Sequence, residues 1–204
     1  MSFIRLPIID MKHLRLNTDG EGVRSLIITS ECPLNCVYCI NDFCHNYPKE
    51  KLLFLSTEEL YDKVEKYKLY FQYTGGGVTF GGGEPMQYSD YILDFTRRFN
   101  KIFSVCIETS LNVDIPDLEE LAKYIKAFYV DIKDMNPIIY QNYTSKSNDK
   151  VIENLEKLLP FSDKVVIRLP YIRNYNLPID VENSREKLLN LGYKRFNELR
   201  YIVR

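Results

Sequence analysis

The chain has 204 residues, with 27 basic and 28 acidic side chains, a formal net charge of −1 and 45% hydrophobic residues. That length suits a single domain, residues 1–204, with its own core. The near-neutral charge argues against a nucleic-acid binder that relies on a phosphate-neutralising surface, and leaves room only for a local basic patch. No apolar run reaches the roughly eighteen residues of a membrane span, and MSFIRLPIIDMKHLRL carries charges through its apolar stretch, unlike a secretory signal. A cytoplasmic protein with no membrane contact is therefore expected.

Short β-rich runs alternate with amphipathic helical stretches. The first strand is expected at Arg24–Thr29 (RSLIIT). Directly after it, Cys32-Pro-Leu-Asn-Cys36-Val-Tyr-Cys39 has the form C-x3-C-x2-C. Three thiolates on one loop can hold three irons of a cubane cluster, leaving the fourth iron open to a ligand. The alternative is zinc: Cys32, Cys36, Cys39 and Cys44 could make a closed tetrahedral site, with His45 beside them. Cys106, between Val105 and Ile107, reads as a buried apolar residue.

Ser56-Thr57-Glu58-Glu59 is a capping box, and Leu60, Val64, Tyr67 and Phe71 follow at helical spacing. Gly77–Phe80 is the second expected strand, framed by two glycine clusters in TGGGVTFGGGEP. The glycines of Gly81-Gly82-Gly83-Glu84 allow close approach to the backbone, and exposed carbonyls with Glu84 suit a cationic amino group. No phosphate-loop sequence G-x4-G-K-[ST] is present. Ser89 is expected to cap a helix reaching about Asn100.

Phe103–Glu108 is the third expected strand, followed by a helix from Asp117 to about Lys126, a fourth strand at Ala127–Lys133 and a helix including Lys150–Leu159. Lys164–Leu169, a helix at Val181–Leu191 and a last strand at Phe196–Val203 complete the pattern. Such alternation implies a parallel sheet with right-handed crossovers, an α/β fold curling into an open partial (β/α)6 barrel. Ligands of such sheets sit at the carboxyl ends of the strands, where Glu108-Thr109 and Asp131-Ile132-Lys133 fall. Asp131 and Lys133 point to one side and could hold a zwitterion or close a salt bridge. Arg168 could clamp a carboxylate or pair with one.

With these residues placed, the chain resembles the radical S-adenosylmethionine (SAM) superfamily, and within it the pyruvate formate-lyase activating enzyme type. The matching segments run in order from about Asn17 to Arg204: DGEGVRSLIITSECPLNCVYC, STEELYDKVEKY, GGGVTFGGGEPMQ, CIETS, YVDIKDMNPIIYQNYT and VVIRLPYIRNYN. The resemblance implies that Cys32, Cys36 and Cys39 ligate a [4Fe–4S] cluster whose fourth iron takes the methionine part of SAM. It places Gly82, Gly83 and Glu84 at the SAM amino group, Tyr38 near adenine and Asn41 close by. Glu108, Thr109 and Asp131 match positions around a monovalent cation beside the methionine carboxylate. Lys133 and Arg168 match residues near SAM and the substrate backbone, and Asp19 and Arg24 match a substrate-side loop.

The resemblance further implies an anaerobic enzyme that activates a glycyl radical enzyme as its protein substrate, served by a flavodoxin- or ferredoxin-type electron donor. A peptide, nucleotide or other small-molecule substrate is the alternative, and a non-catalytic iron–sulfur or zinc module is the rival from another class. The chain departs from the family pattern in four places. Ile40 stands where the cysteine loop usually has histidine, Gly81 where serine is common and Leu111 where glycine is common. The last strand stops at Tyr-Ile-Val-Arg204, where relatives continue into leucine–proline–tyrosine–histidine and a tail. No ferredoxin-like insert is present, so one cluster is expected.

Overall fold

A computed structural model of the chain describes residues 4–200. Fifteen elements alternate along it: β1 (Leu6–Leu16), β2 (Val23–Thr29), β3 (Leu53–Leu55), α1 (Thr57–Glu65), α2 (Lys68–Thr74), β4 (Gly77–Gly82), α3 (Ser89–Phe99), β5 (Ser104–Thr109), α4 (Leu118–Tyr124), β6 (Ala127–Asp131), α5 (Pro137–Thr144), α6 (Asp149–Leu158), β7 (Val165–Tyr171), α7 (Pro178–Leu191) and β8 (Phe196–Arg200). The strands form one sheet in the order β3-β1-β2-β4-β5-β6-β7-β8, which among the described residues does not close on itself. The six strands from β2 through β8 in that order are parallel, while β1 and β3 join antiparallel at one edge. The open α/β barrel is thus the expected one, enlarged by two strands. Of the last expected strand, Tyr201–Val203 lie outside the described residues.

In a parallel sheet, residues in register face the same way, and the two faces here have opposite chemistry. Ile27, Phe80, Ile107, Phe128 and Val165 lie side by side across five strands and are all fully buried under the helices. Tyr91, Ile92 and Phe95 of α3, with Val151, Leu155 and Leu158 of α6, pack in the same core. Fully burying one such side chain contributes about 1.5–3 kcal/mol. The inner face carries Arg24, Thr79, Cys106, Glu108, Tyr129, Asp131 and Arg168, so the barrel interior is polar. Cys106 is buried as expected, on that inner face.

Several local expectations are corrected. The helical run through Leu60, Val64, Tyr67 and Phe71 breaks at Tyr67, whose backbone (φ −100°, ψ 3°) starts α2 anew while its ring packs on His13 of β1, centroids 4.5 Å apart. Ser89 caps nothing: a 3-10 turn at Pro85–Tyr88 feeds directly into α3, and Ser89 is its first, buried residue. Lys133 lies beyond the end of β6. α5 was not expected, although Asn136 accepts from the Ile138 and Ile139 amides and Pro137 sits at the first helical position.

The capping box is present in full: the Glu59 amide donates to Ser56 Oγ at 3.2 Å, and the Ser56 amide to Glu59 Oε2 at 2.8 Å. Ser56→Ala removes one half of it. The denaturation midpoint should fall by the equivalent of about 1 kcal/mol with an unchanged slope, as read by urea titration.

Candidate active site

The cysteine loop leaves β2 at its carboxyl end and is fastened on three sides. At its root, the Gly83 amide donates to Thr29 O (3.1 Å) and the Glu84 amide to Glu31 O (2.8 Å). A Cβ on Gly83 would lie 1.9 Å from the Glu31 carbonyl oxygen, so no other residue fits there. At this position the glycine clears space for the loop. The Glu31 amide donates to Cys44 O (3.1 Å), closing the loop on itself. Asn41 Nδ2 donates to Gly82 O (2.9 Å), and the amides of Asn35 and Val37 donate to Thr144 and Tyr143 carbonyls at the end of α5.

Cys32, Cys36 and Cys39, all unbridged and half-buried, line a single cavity of about 190 Å3 at the carboxyl ends of the strands. Tyr38, Asn41, Gly82, Gly83, Glu84, Glu108, Thr109, Asp131, Lys133 and Arg168 line the same cavity. Burial pushes the Cys32 thiol up to about 12 and raises Cys36 as well, so ligation of metal must displace their protons. Cys44 is turned away: it is buried against Ile9 and Ile28, with Leu26, Tyr47 and Leu52 around it. That removes the fourth ligand of a zinc site. Among the described residues no three His, Cys, Asp or Glu side chains converge on one ion.

Glu84 is 1% exposed, and its carboxylate is filled from within the protein. Oε1 accepts from the Thr109 hydroxyl (2.6 Å) and the Met86 amide (3.1 Å); Oε2 accepts from the Ser110 hydroxyl (2.6 Å) and amide (2.8 Å). Burial pushes this carboxyl above its ordinary range, and the four donors pull it back toward the ionised form. Glu84 thereby joins the glycine turn to the end of β5.

Glu108, Asp131, Lys133 and Arg168 form one charged group. Arg168 Nη2 donates to Glu108 Oε1 at 2.7 Å, Arg168 Nη1 stands 4.0 Å from Asp131 Oδ1, and Lys133 Nζ stands 3.6 Å from Asp131 Oδ2. A Cβ on Gly81 would come within 3.1 Å of Glu108 Oε2, so this glycine makes room for that carboxylate. Burial pushes the Glu108 carboxyl up, and Arg168 offsets this only in part. The Thr109 hydroxyl, besides donating to Glu84, accepts from the Leu111 amide (2.9 Å). Of the trio expected around a monovalent cation, Thr109 and Glu108 are hydrogen-bonded within the protein, while Asp131 stands 3.6 Å from Lys133 and 4.0 Å from Arg168.

Asp19 and Arg24 are not in the cavity wall, which corrects their expected substrate-side role. Arg24 is fully buried at the amino ends of the strands, opposite Gly77 of β4. Its guanidinium donates to Thr79 Oγ1, Ser104 Oγ and the carbonyls of Glu21, Val78 and Ser104, leaving nothing for a substrate. The Thr79 hydroxyl in turn donates to Asp19 O (2.7 Å), while Arg15 holds the Asp19 carboxylate. Leu34, Ser110 and Tyr143 line the cavity without having been singled out, and Ile40, noted only as a departure from the family pattern, lines it too. Ser110 adjoins Thr109 and was legible as a strand-end hydroxyl; the other three have no chemistry that marks them.

The profile of the Radical SAM superfamily matches residues 26–188. The chain is 35% identical over 143 residues to the (2S)-3-sulfopropanediol dehydratase activating enzyme of Klebsiella oxytoca, a match covering 69% of this chain and 45% of that protein. It is 29% identical over 184 residues to the pyruvate formate-lyase-activating enzyme of Staphylococcus epidermidis, covering 85% of this chain and 69% of that protein. The chain thus spans less than half the length of the first of these relatives. Among solved structures, Streptococcus suis SuiB bound to S-adenosylmethionine aligns with a TM-score of 0.68 over 85% of this chain and 39% of that chain, at 17% identity, a likeness of fold.

Four donors surround the Glu84 carboxylate, so Glu84→Gln would turn an amide N–H2 toward donors. Thermal and urea unfolding should show a loss of about 1–3 kcal/mol. A variant as stable as the parent would mean that the join between the glycine turn and β5 lies elsewhere.

Proposed function

The chain belongs to the radical SAM superfamily, and we propose that it is the activating enzyme of a glycyl radical enzyme. Family membership implies a [4Fe–4S] cluster and SAM. The observation that carries the reading is that the three cysteines of one loop and the strand-end polar groups line a single cavity. The names of the relatives, both activating enzymes, support the choice of substrate class.

The residues present suit these groups. Cys32, Cys36 and Cys39 would hold three irons, leaving the fourth for the amino and carboxylate groups of methionine. Asp131, Lys133 and Arg168 would receive that end of the ligand, beside the Gly82–Gly83 turn held by Asn41. Tyr38, whose ring stands edge-on to Tyr175 with centroids 5.8 Å apart, would wall the adenine side. When bound, the cluster and SAM supply a one-electron reductive cleavage that releases methionine and generates the 5′-deoxyadenosyl radical, which takes a hydrogen atom from a glycine Cα. The protein's share is to orient these groups and exclude water. A flavodoxin- or ferredoxin-type donor would supply the electron. No helix among the described residues is long and apolar enough to cross a membrane, and a cytoplasmic, single-domain protein fits this role.

Anaerobic reconstitution should give about four irons per chain. Alanine at Cys32, Cys36 or Cys39 should abolish iron uptake, while Cys44→Ala and Cys106→Ala should retain it. The reduced protein should convert SAM to 5′-deoxyadenosine and methionine. With its partner enzyme it should give an electron spin resonance doublet that collapses on deuteration of the glycine Cα. SAM turnover stimulated by a peptide or nucleotide, with no glycyl radical on any partner, would replace this substrate assignment.

A further inference from the structure

This inference rests on the reading that SAM binds in the cavity above. At the carboxyl ends of β5, β6 and β7, two carboxylates, Glu108 and Asp131, face two cations, Arg168 and Lys133, at separations from 2.7 to 4.0 Å. The group is balanced in charge before a ligand enters. A metal ion placed between the carboxylates would sit beside a guanidinium and an ammonium in a half-buried site, where like charges repel strongly because water screens them poorly.

Arg168 is also held in place. It is in register with Asp131, its guanidinium lies 4.9 Å from the centroid of the Tyr129 ring, and its side chain is 13% exposed. Its Nε is buried and has no hydrogen-bond partner among the described residues. A buried N–H without a partner, on a side chain that lines the cavity, can be satisfied by an oxygen arriving with the ligand.

We propose that the Arg168 guanidinium, held between Glu108 and Asp131, fills the electrostatic place of a monovalent cation, so that SAM binding is independent of sodium and potassium. Arg168 then meets the methionine carboxylate directly. Glu108 and Tyr129 are positioning residues, setting the guanidinium from one side and from below.

The test is calorimetric titration of SAM into the iron-loaded protein in sodium, potassium or tetramethylammonium chloride at constant ionic strength. The dissociation constants should agree within about threefold across the three salts, and a value about tenfold tighter in either metal salt would overturn the proposal. Glu108→Gln removes a carboxylate that a metal ion would need but leaves the guanidinium. Because Glu108 positions the guanidinium, SAM affinity should fall by a similar factor, about threefold or more, in all three salts, and a loss confined to sodium and potassium would overturn the proposal. Arg168→Gln should bind about tenfold more weakly in tetramethylammonium and recover part of the loss in potassium, whereas affinity unchanged in all three salts would overturn it. If the parent protein carries its irons yet binds SAM in no salt, the cavity assignment itself fails, a result distinct from any salt-dependent binding.

Discussion

Glu84 is the point on which the upper end of the barrel depends. Its carboxylate is buried, and it holds Thr109 and Ser110 at the end of β5 to the turn that follows β4. The same turn holds the root of the cysteine loop through the Gly83 and Glu84 amides. Three pieces that carry the proposed chemistry therefore meet at one residue. Opening such a join is costly, because it leaves a buried carboxylate and its donors without partners, at about 1–3 kcal/mol. The geometry of the cavity follows from that join: the thiol loop cannot drift from the turn without breaking the Gly83 and Glu84 amide bonds at its root.

The two faces of the sheet divide the labour. The outer face is apolar and supplies stability through its contact with the helices. The inner face carries charge, and each buried charge there has a counterpart or a set of acceptors. Arg24 closes the amino end by bonding to Thr79, Ser104 and three carbonyls, and it steadies the turn that carries Asp19. Arg168 lies toward the other end, between Glu108 and Asp131. A polar interior of this kind contributes little to stability. It suits a zwitterionic, strongly charged ligand, which an apolar barrel would reject.

The open side of the cavity has its own chemistry. Val37, Ile40 and Phe43 of the cysteine loop are exposed, at 54%, 75% and 43%. An apolar rim beside a polar cavity is compatible with a substrate that arrives as part of a folded protein and covers the site as it docks. Such a cover would exclude water from a radical at the moment of transfer, consistent with the substrate class proposed here.

Much of this was legible in the residues themselves. The parallel strands β2, β4, β5, β6 and β7 could be read because each is a short β-branched run between turn residues, and the capping box at Ser56 because its spacing is local. The spacing of Cys32, Cys36 and Cys39 marked a metal loop, and the proximity of Asp131 and Lys133 was foreseen, although Lys133 reaches Asp131 from beyond the strand end. Other features depended on partners distant in sequence. β1 carries Asp10, Lys12, His13 and Arg15, and its pairing with β2 is broken by register shifts, so its alternation is blurred. It is a strand because the edge of β2 needed one. β3, at three residues, is too short to show a period. The roles of Arg24, Glu84 and Gly83 were beyond any local pattern, because burial and the positions of Thr79, Ser110 and Glu31 decide them. Sequence alone determined which chemical groups the protein owns and at which end of the sheet they fall, since spacing and alternation are properties of the chain. Only the tertiary structure decided which charges face the cavity and which are spent inside the protein, because pairing depends on distances between strands that sequence neighbours do not set.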